Sequence, residues 1–133
     1  MRAILKKHFG YEEFRPLQAD IITHVLARRD ALVLMPTGGG KSLCFQLPAL
    51  MSAGMTIVVS PLISLMKDQV DALRANGIAA AQINSAVEGA AIGEIKRQAE
   101  SGRIKLLYVT PERLAIPSFR AWLKTLAVSL IAI

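Results

Sequence analysis

The sequence contains a single cysteine, Cys44, and only two histidines. One cysteine excludes an internal disulfide framework and a cysteine-based zinc site, and the lack of a His/Cys/Asp cluster leaves no transition-metal site. No apolar run approaches the roughly 18 residues of a membrane span, and the first residues lack the apolar core of a signal peptide. We therefore expect a reduced, cytoplasmic protein with no membrane partner.

Charge and hydrophobicity further restrict the class of protein to which the chain belongs. The 133 residues are 53% hydrophobic and 20% charged, which excludes a disordered chain. This length fits one domain, and the apolar share suits strands that are buried on both faces. Sixteen Lys and Arg against ten Asp and Glu give a net charge of +6. That balance is compatible with a nucleic-acid partner, although many basic domains bind none.

Short apolar runs alternate with longer helical stretches along the chain. Five runs have the content of buried parallel strands, at residues 31–35, 56–59, 80–83, 104–109 and 128–133. Five stretches carry apolar residues at helical spacing, at residues 16–26, 41–51, 62–75, 88–100 and 118–126. This alternation predicts an α/β fold with a parallel sheet and flanking helices.

The loops that follow the predicted strands are the candidate sites, because ligands of open α/β sheets bind beyond the carboxyl ends of the strands. The first strand leads into residues 36–42, and two later strands lead into Ser60-Pro61 and Thr110-Pro111. In both dipeptides a hydroxyl residue is expected to cap a helix that has proline at its first position. Such helix ends present free N–H groups and a positive dipole end, which suit phosphate.

The first of these loops has the chemistry of a phosphate-binding loop. The three glycines at 38–40 let backbone N–H groups surround an anion where a Cβ would clash. Lys41 offers a positive charge to β- and γ-phosphates, and Ser42 offers a hydroxyl ligand to Mg²⁺. The strict pattern G-x-x-x-x-G-K-[ST] fails at its first position, which is Met35. The alternative is a glycine turn followed by an ordinary surface lysine.

An adenine-binding segment is predicted upstream of this loop. Tyr11, Arg15 and Gln18 lie within eight residues of one another. A glutamine amide pairs with the N6/N7 edge of adenine through two hydrogen bonds, while the tyrosine ring is able to stack on the base. The alternative is a set of aromatic residues that pack before a helix, with Gln18 in solvent.

Four segments in this order resemble the motifs of RecQ-type superfamily 2 DNA helicases. Residues 9–18 resemble motif 0 of that family, and residues 35–49, with the run Met-Pro-Thr-Gly-Gly-Gly-Lys-Ser, resemble motif I. Residues 58–69 resemble motif Ia, and residues 108–114 resemble motif Ib. The resemblance covers most of the chain, and it accounts for Met35 because superfamily 2 helicases do not require the first glycine.

The resemblance implies a role for each matching residue. The adenine-binding positions are Tyr11, Arg15 and Gln18, and the phosphate-binding positions are Thr37, Gly38, Gly39, Gly40, Lys41 and Ser42. Lys41 has the catalytic role among these, and Ser42 is the Mg²⁺ ligand. The positions that contact the backbone of a DNA single strand are Ser60, Pro61, Thr110, Pro111 and Arg113. For Ser60 and Thr110, helix capping alone remains an alternative.

The resemblance also implies what the sequence lacks. The Asp-Glu-Ala-His run of motif II, the second RecA-like lobe with its arginine finger, the zinc-binding region and the winged helix are all absent from the 133 residues. We therefore interpret residues 1–133 as a partial first RecA-like P-loop NTPase lobe, truncated before motif II, with residues 1–30 as its motif 0 region.

The function that the resemblance implies is ATP-dependent, Mg²⁺-dependent unwinding of duplex DNA in the 3′ to 5′ direction by the intact protein. Its partners would be single-stranded DNA, the duplex junction and the second lobe, with a nucleoid association in a bacterium. We expect no ATP hydrolysis by the fragment alone, because the general base and the arginine finger are missing. The alternatives are a non-catalytic nucleotide- or DNA-binding module and a superfamily 2 RNA helicase.

Overall fold

The computed structural model describes residues 1–36, 40–85, 87 and 89–133. The chain divides into two compact units, Met1–Ala53 and Gly54–Ile133, and each is described by itself. Among the helices of the described residues, none has the length and apolar content that crossing a membrane requires.

The first unit is helical in its described part. A short α1 (Arg2–Ile4) continues into a π-helical turn (Leu5–Phe9), and α2 (Gln18–Leu26) and α3 (Leu43–Met51) follow. Leu5, Ile22, Leu43 and Leu47 form the buried core of this unit. Both predicted helices are confirmed, but each begins two residues later than the sequence pattern indicated. At α2 the reason is Leu17, whose left-handed φ of 71° is incompatible with a helix.

The predicted first strand at residues 31–35 is wrong. Residues 31–36 are described and have no strand conformation, and the side chains of Leu32 and Leu34 are 91% and 87% exposed. An apolar run indicates burial, but a strand also needs a hydrogen-bonded neighbour, which the run itself does not specify.

The second unit is built on four parallel strands. They are β1 (Met55–Val59), β2 (Ala80–Ile83), β3 (Leu106–Val109) and β4 (Val128–Ala132), in the spatial order β2-β3-β1-β4. All three neighbouring pairs are parallel, with Val59 of β1 opposite Val109 of β3 and Ile83 of β2 opposite the same residue. The predicted parallel sheet and four of its five predicted strands are thus confirmed.

Helices connect the strands of this sheet. They are α4 (Ile63–Ala75), α5 (Gly89–Glu100), α6 (Pro111–Leu114) and α7 (Pro117–Leu123). The end of α4 at Asn76-Gly77 is confirmed, since Gly77 adopts the left-handed φ of 77° that glycine tolerates. The predicted start of α5, Glu88, lies outside the described residues, and α7 ends three residues before the predicted Leu126.

The sheet buries a different set of residues on each face. Leu107 and Val109 of β3 belong to an apolar cluster with Ile57, Ile83 and Phe119 of α7. Side chains alternate between faces along a strand, so Tyr108 lies on the opposite face, where its hydroxyl reaches α4. Three apolar residues of α4 are buried: Met66, Val70 and Leu73.

Candidate functional site

Gln18 is the most buried of the three residues predicted to bind adenine. Its side chain is 3% exposed, so the alternative of a solvated glutamine is wrong. The carboxamide oxygen accepts a hydrogen bond of 2.8 Å from the backbone N–H of Arg15, and the amide nitrogen donates one of 3.1 Å to the carbonyl oxygen of Gly40. The second bond joins the adenine segment to the end of the phosphate loop across 22 residues of sequence.

The turn from Arg15 to Gln18 is held at both of its ends. The backbone N–H of Gln18 donates to the carbonyl of Arg15 at 3.1 Å, and the Gln18 side chain accepts from the Arg15 N–H. Leu17 lies between them with a positive φ of 71°, which is rare outside glycine. A strained backbone of this kind persists where surrounding contacts hold it, and it commonly occurs at ligand sites.

Gly40 is the described glycine of the phosphate loop, and two features require a glycine there. Its φ is +81°, a conformation that L side chains rarely adopt. A Cβ on Gly40 would also collide with the amide nitrogen of Gln18. Thr37, Gly38 and Gly39 lie outside the described residues, so the predictions for them stay predictions.

Lys41 and Ser42 lie at the start of α3. The carbonyl of Lys41 accepts from the N–H of Cys44 at 3.0 Å, and that of Ser42 accepts from the N–H of Gln46 at 3.0 Å. Ser42 is the N-cap of the helix, and the Lys41 side chain is exposed. An exposed lysine beside a helix N-terminus suits a phosphate group, because both supply positive charge.

A cavity of about 220 Å³ in the first unit brings the candidate residues together. Among its lining residues are Tyr11, Arg15, Gln18, Gly40 and Ser42. Three adenine candidates and two phosphate-loop candidates thus border one space. Its volume is below the ~300–1,000 Å³ of typical small-molecule pockets, so it matches part of a nucleotide rather than a whole one.

The donor set of this region fits ATP with Mg²⁺. The exposed Lys41 and the glycine-lined loop end suit phosphates, and the Ser42 hydroxyl is a hard oxygen ligand. No cluster of three or more His, Cys, Asp or Glu occurs in the part of the chain that the structure covers. A magnesium ion at Ser42 would therefore take its other ligands from phosphate and water, as Mg²⁺ usually does.

Cys44 lies one turn after the loop and is buried. Its thiol approaches the carbonyl oxygen of Gly40 at 3.9 Å. Burial raises the pKa of the Cys44 thiol above its ordinary value, so the reactive thiolate is disfavoured.

The loop after β1 differs from its predicted form. Ser60 does not cap a helix at Pro61, because its hydroxyl oxygen accepts a hydrogen bond of 3.2 Å from the N–H of Leu62. This turn keeps Leu62 extended, with φ −99° and ψ 95°, and α4 begins at Ile63. Pro61 therefore precedes the helix and does not occupy its first position.

The loop after β3 follows the predicted form more closely. Thr110 is the N-cap of α6 and Pro111 is its first residue. The hydroxyl of Thr110 makes no capping hydrogen bond, and its side chain is 4% exposed. The N–H of Arg113 donates to the Thr110 carbonyl at 3.1 Å, which begins the helical turn.

The sheet register brings these two loops side by side. Val59 and Val109 are opposite each other in the neighbouring strands β1 and β3, so Ser60 and Thr110 follow paired positions. The N–H of Ser60 donates to the carbonyl of Val109 at 3.0 Å and extends this pairing. Both loops lie at the carboxyl edge of the sheet, where α/β folds bind ligands.

Sequence reasoning missed the polar contacts of two buried side chains, Tyr108 and Asn84. The hydroxyl of Tyr108 donates to the carboxamide oxygen of Gln69 at 2.7 Å. The amide of Asn84, which is 1% exposed, lies 3.6 Å from the sulfur of Met66 and 3.4 Å from the Gln82 oxygen. A tyrosine inside a fully apolar strand is the sequence signal for such a contact, because a buried hydroxyl needs a partner.

Parallel strands with loops at their carboxyl edge in the second unit, and a glycine just before a helix in the first, are features typical of α/β proteins that bind nucleotides. Comparison with known proteins identifies the family. The DEAD/DEAH box helicase family matches residues 15–132. The chain belongs to this family.

The similar proteins include RecQ helicases. The chain is 51% identical to the ATP-dependent DNA helicase RecQ of Haemophilus influenzae over 117 residues, which is 88% of the chain and 19% of that protein. It is 51% identical to RecQ of Bacillus subtilis over 133 residues, or 99% of the chain and 22% of that protein. These identities confirm the RecQ resemblance, and the chain spans about a fifth of these relatives.

A solved structure supports the fold. The crystal structure of a hypothetical ATP-dependent RNA helicase from Sulfolobus tokodaii matches with a TM-score of 0.65 and 19% identity. The match covers 94% of this chain and 37% of that one. The predicted RecA-like fold is therefore confirmed.

Proposed function

We propose that the chain binds ATP with Mg²⁺ and part of a DNA single strand, as the first lobe of a RecQ-type helicase. The activity of the whole protein would be ATP-driven 3′ to 5′ unwinding of duplex DNA, with a second lobe completing the ATP site. The relatives named RecQ are DNA helicases, and their similarity to almost all of this chain supports DNA as the substrate.

The observation that carries the nucleotide proposal is the hydrogen bond between Gln18 and Gly40. It joins a base-recognising amide to the phosphate loop, as a site for one nucleotide requires. A carboxamide has two lone pairs and two N–H groups, so the bonds to Arg15 and Gly40 do not exhaust its capacity to pair with adenine. Tyr11, with 56% of its side chain exposed, is available to stack on the base.

We assign the phosphate contacts to Thr37, Gly38, Gly39, Gly40 and Lys41, and one Mg²⁺ position to the Ser42 hydroxyl. The bound metal would neutralise phosphate charge. The 133 residues contain no adjacent Asp-Glu pair, the pair that motif II supplies, so binding rather than turnover is the property to measure on this chain.

We assign the DNA contacts to the two neighbouring carboxyl-edge loops. Ser60 and Pro61 form one, and Thr110, Pro111 and Arg113 form the other. Backbone N–H groups, hydroxyls and an arginine are the donors that hold phosphates without reading sequence. Their spacing along one edge of the sheet supports contact with successive phosphates of a single strand.

The nucleotide assignment is tested by calorimetric titration of the chain with a non-hydrolysable ATP analogue and Mg²⁺. We expect Lys41→Ala to weaken binding by about 10- to 100-fold, because it removes a charged contact. Gln18→Ala should weaken it by about tenfold through loss of the adenine and Gly40 bonds.

Two exposed or half-exposed residues of the second unit provide matched controls. Lys124→Ala and Gln98→Ala remove the same side-chain types away from the candidate site, and both should leave the affinity unchanged. Equal affinities for all five proteins would contradict the nucleotide proposal.

The DNA assignment is tested separately, with labelled single strands of the same sequence in DNA and RNA. Tighter binding of DNA supports the RecQ interpretation. Tighter binding of RNA would favour the RNA-helicase alternative instead.

A further inference from the structure

Polar side chains occupy part of the buried layer between α4 and the sheet. Tyr108 of β3 is 1% exposed, and its hydroxyl donates to Gln69 of α4 at 2.7 Å. Asn84 is equally buried and lies 3.6 Å from the sulfur of Met66, one turn earlier on α4. A buried tyrosine hydroxyl costs stability unless it is bonded, so this contact is a specific feature of the layer.

Tyr108 and Gln69 lie on the strand and the helix that adjoin the two candidate DNA loops. Tyr108 lies two residues before Thr110, on the strand that carries the second loop. Gln69 lies on the helix that begins directly after the first loop, at Ile63. The hydrogen bond therefore connects the elements that carry Ser60 and Thr110, independently of the backbone pairing between β1 and β3.

The hydrogen bond adds a directional contact between α4 and the sheet, which are otherwise held together by apolar packing. Met66, Val70 and Leu73 bury one stripe of α4, but apolar contact is non-directional and tolerates a small rotation or shift of a helix. A hydrogen bond weakens steeply when its angle departs from linear. The bond to Tyr108 therefore favours one rotation of α4, the helix that begins after the first loop.

We propose that Gln69 and Tyr108 are positioning residues for DNA binding, which hold the loop at Ser60 in the correct place relative to the loop at Thr110. This inference depends on the proposed DNA-binding function of those loops. Neither residue needs to touch DNA, because each acts through the position of a neighbouring loop.

The test is the affinity of the whole chain for a fluorescein-labelled DNA single strand, measured by anisotropy. Tyr108→Phe keeps the ring and removes the hydroxyl, and we expect affinity to fall by about three- to tenfold. Gln69→Met removes the acceptor at similar volume and should have the same effect. The double variant should bind no more weakly than either single variant, because all three lose one shared bond.

Two further variants distinguish an effect on the position of the DNA loops from a general loss of stability. Gln69→Glu keeps an oxygen acceptor for Tyr108 and should bind DNA more tightly than Gln69→Met, when both are measured at a salt concentration that screens the added negative charge. Trp122→Phe removes another side-chain hydrogen bond, which is exposed and runs from the indole N–H of α7 to Glu100 of α5 at 2.8 Å. It should lower the melting temperature without changing DNA affinity, and nucleotide affinity should stay constant throughout.

The outcomes separate this inference from the proposed function. If the unsubstituted chain binds DNA and Tyr108→Phe binds it equally well, the positioning role is wrong and the proposed function stands. A loss of affinity in Gln69→Glu equal to that in Gln69→Met would also overturn it. If the unsubstituted chain binds no DNA, the DNA part of the proposed function fails and the inference fails with it.

Discussion

The two compact units bring their candidate residues together by different means. In Met1–Ala53 a side-chain hydrogen bond from Gln18 to Gly40 joins segments 22 residues apart. In Gly54–Ile133 the parallel pairing of β1 with β3 sets Ser60 beside Thr110 through backbone bonds. A single substitution is able to break the first arrangement, whereas the backbone pairing in the second does not depend on side-chain identity. Nucleotide and DNA affinity should therefore respond to different substitutions.

Among substitutions that act on these two arrangements, the largest effect is expected for Gly40→Ala in the first unit. A non-glycine residue in the left-handed region costs about 1–2 kcal/mol, and the new Cβ would displace the buried amide of Gln18. We expect the free energy of unfolding to fall by at least that amount and nucleotide affinity to fall by about tenfold, as in Gln18→Ala. Urea denaturation and calorimetric titration measure the two effects.

Gly77→Ala is the matched control for this substitution. Gly77 has a similar φ of +77°, but no heavy atom lies within 4 Å of the position of its added Cβ. It should lose about 1–2 kcal/mol of stability from the backbone conformation alone, with nucleotide affinity unchanged. If both variants lost the same affinity, the collision with Gln18 would have no role in the site.

The same difference between the units explains how much the sequence was able to predict. The four strands of the sheet were predicted to within two residues. For β1, β2 and β3 the reason is burial, which favours apolar residues along a strand that is covered on both faces. β4 carries the same apolar signal although most of its residues are exposed. Residues 31–35 carry the same signal and form no strand, because pairing depends on distant residues that the run does not identify. The bond from Gln18 to Gly40 was missed for the same reason, although the sequence had predicted Gln18 as an adenine-binding residue and Gly40 as a phosphate-binding residue.

The two hydroxyl–proline loops show a second limit of sequence reasoning. Ser60-Pro61 and Thr110-Pro111 have equivalent sequences, yet only Pro111 begins a helix. The Ser60 hydroxyl bonds the N–H of Leu62, a local alternative that competes with helix capping. Composition alone does not decide between two local hydrogen bonds of similar strength.

A smaller effect is expected from removing the hydroxyls of Ser60 and Thr110. Their effects on stability should differ, while their effects on DNA affinity should be similar. Ser60→Ala removes the bond to Leu62, so it should lower stability by about 0.5–1.5 kcal/mol and DNA affinity by about two- to tenfold. Thr110→Val removes a hydroxyl that makes no capping bond. Its DNA affinity should fall by a similar factor while α6 remains intact.

Chemical denaturation measures the stability of the Ser60→Ala and Thr110→Val variants, and fluorescence anisotropy measures their affinity for DNA. Ser64→Ala is a suitable control, since it removes an exposed hydroxyl from the first turn of α4 next to the same loop. Unchanged DNA affinity in both Ser60→Ala and Thr110→Val would remove these hydroxyls from the proposed interface.

The smallest effect is a pH dependence confined to the second unit. Hydrogen bonds from Arg97, then from Gln98, lower the pKa of the Glu94 carboxyl below its usual value. Because the pKa of this carboxyl is lower in the folded protein than in the unfolded chain, the charged carboxylate stabilises the fold at pH values above the unfolded-state pKa of about 4.3. This stabilisation is lost as the pH falls through the folded-state pKa. Glu94 and Arg97 are exposed, so solvent screening keeps the effect small.

Glu94→Gln should therefore lower stability slightly at neutral pH, where the carboxylate is charged, and leave it unchanged below the folded pKa, so that the acid limb of the stability curve becomes flatter. The single tryptophan, Trp122 of α7, is bonded to Glu100 of α5, the helix that carries Glu94, so its fluorescence during denaturation reports on this unit. Glu112→Gln, at the first turn of α6, is the control for removing one acidic charge. An acid limb as steep in Glu94→Gln as in the unsubstituted chain would mean that the bond to Arg97 adds no stability. Nucleotide affinity, which depends on the first unit, should be the same in all three proteins.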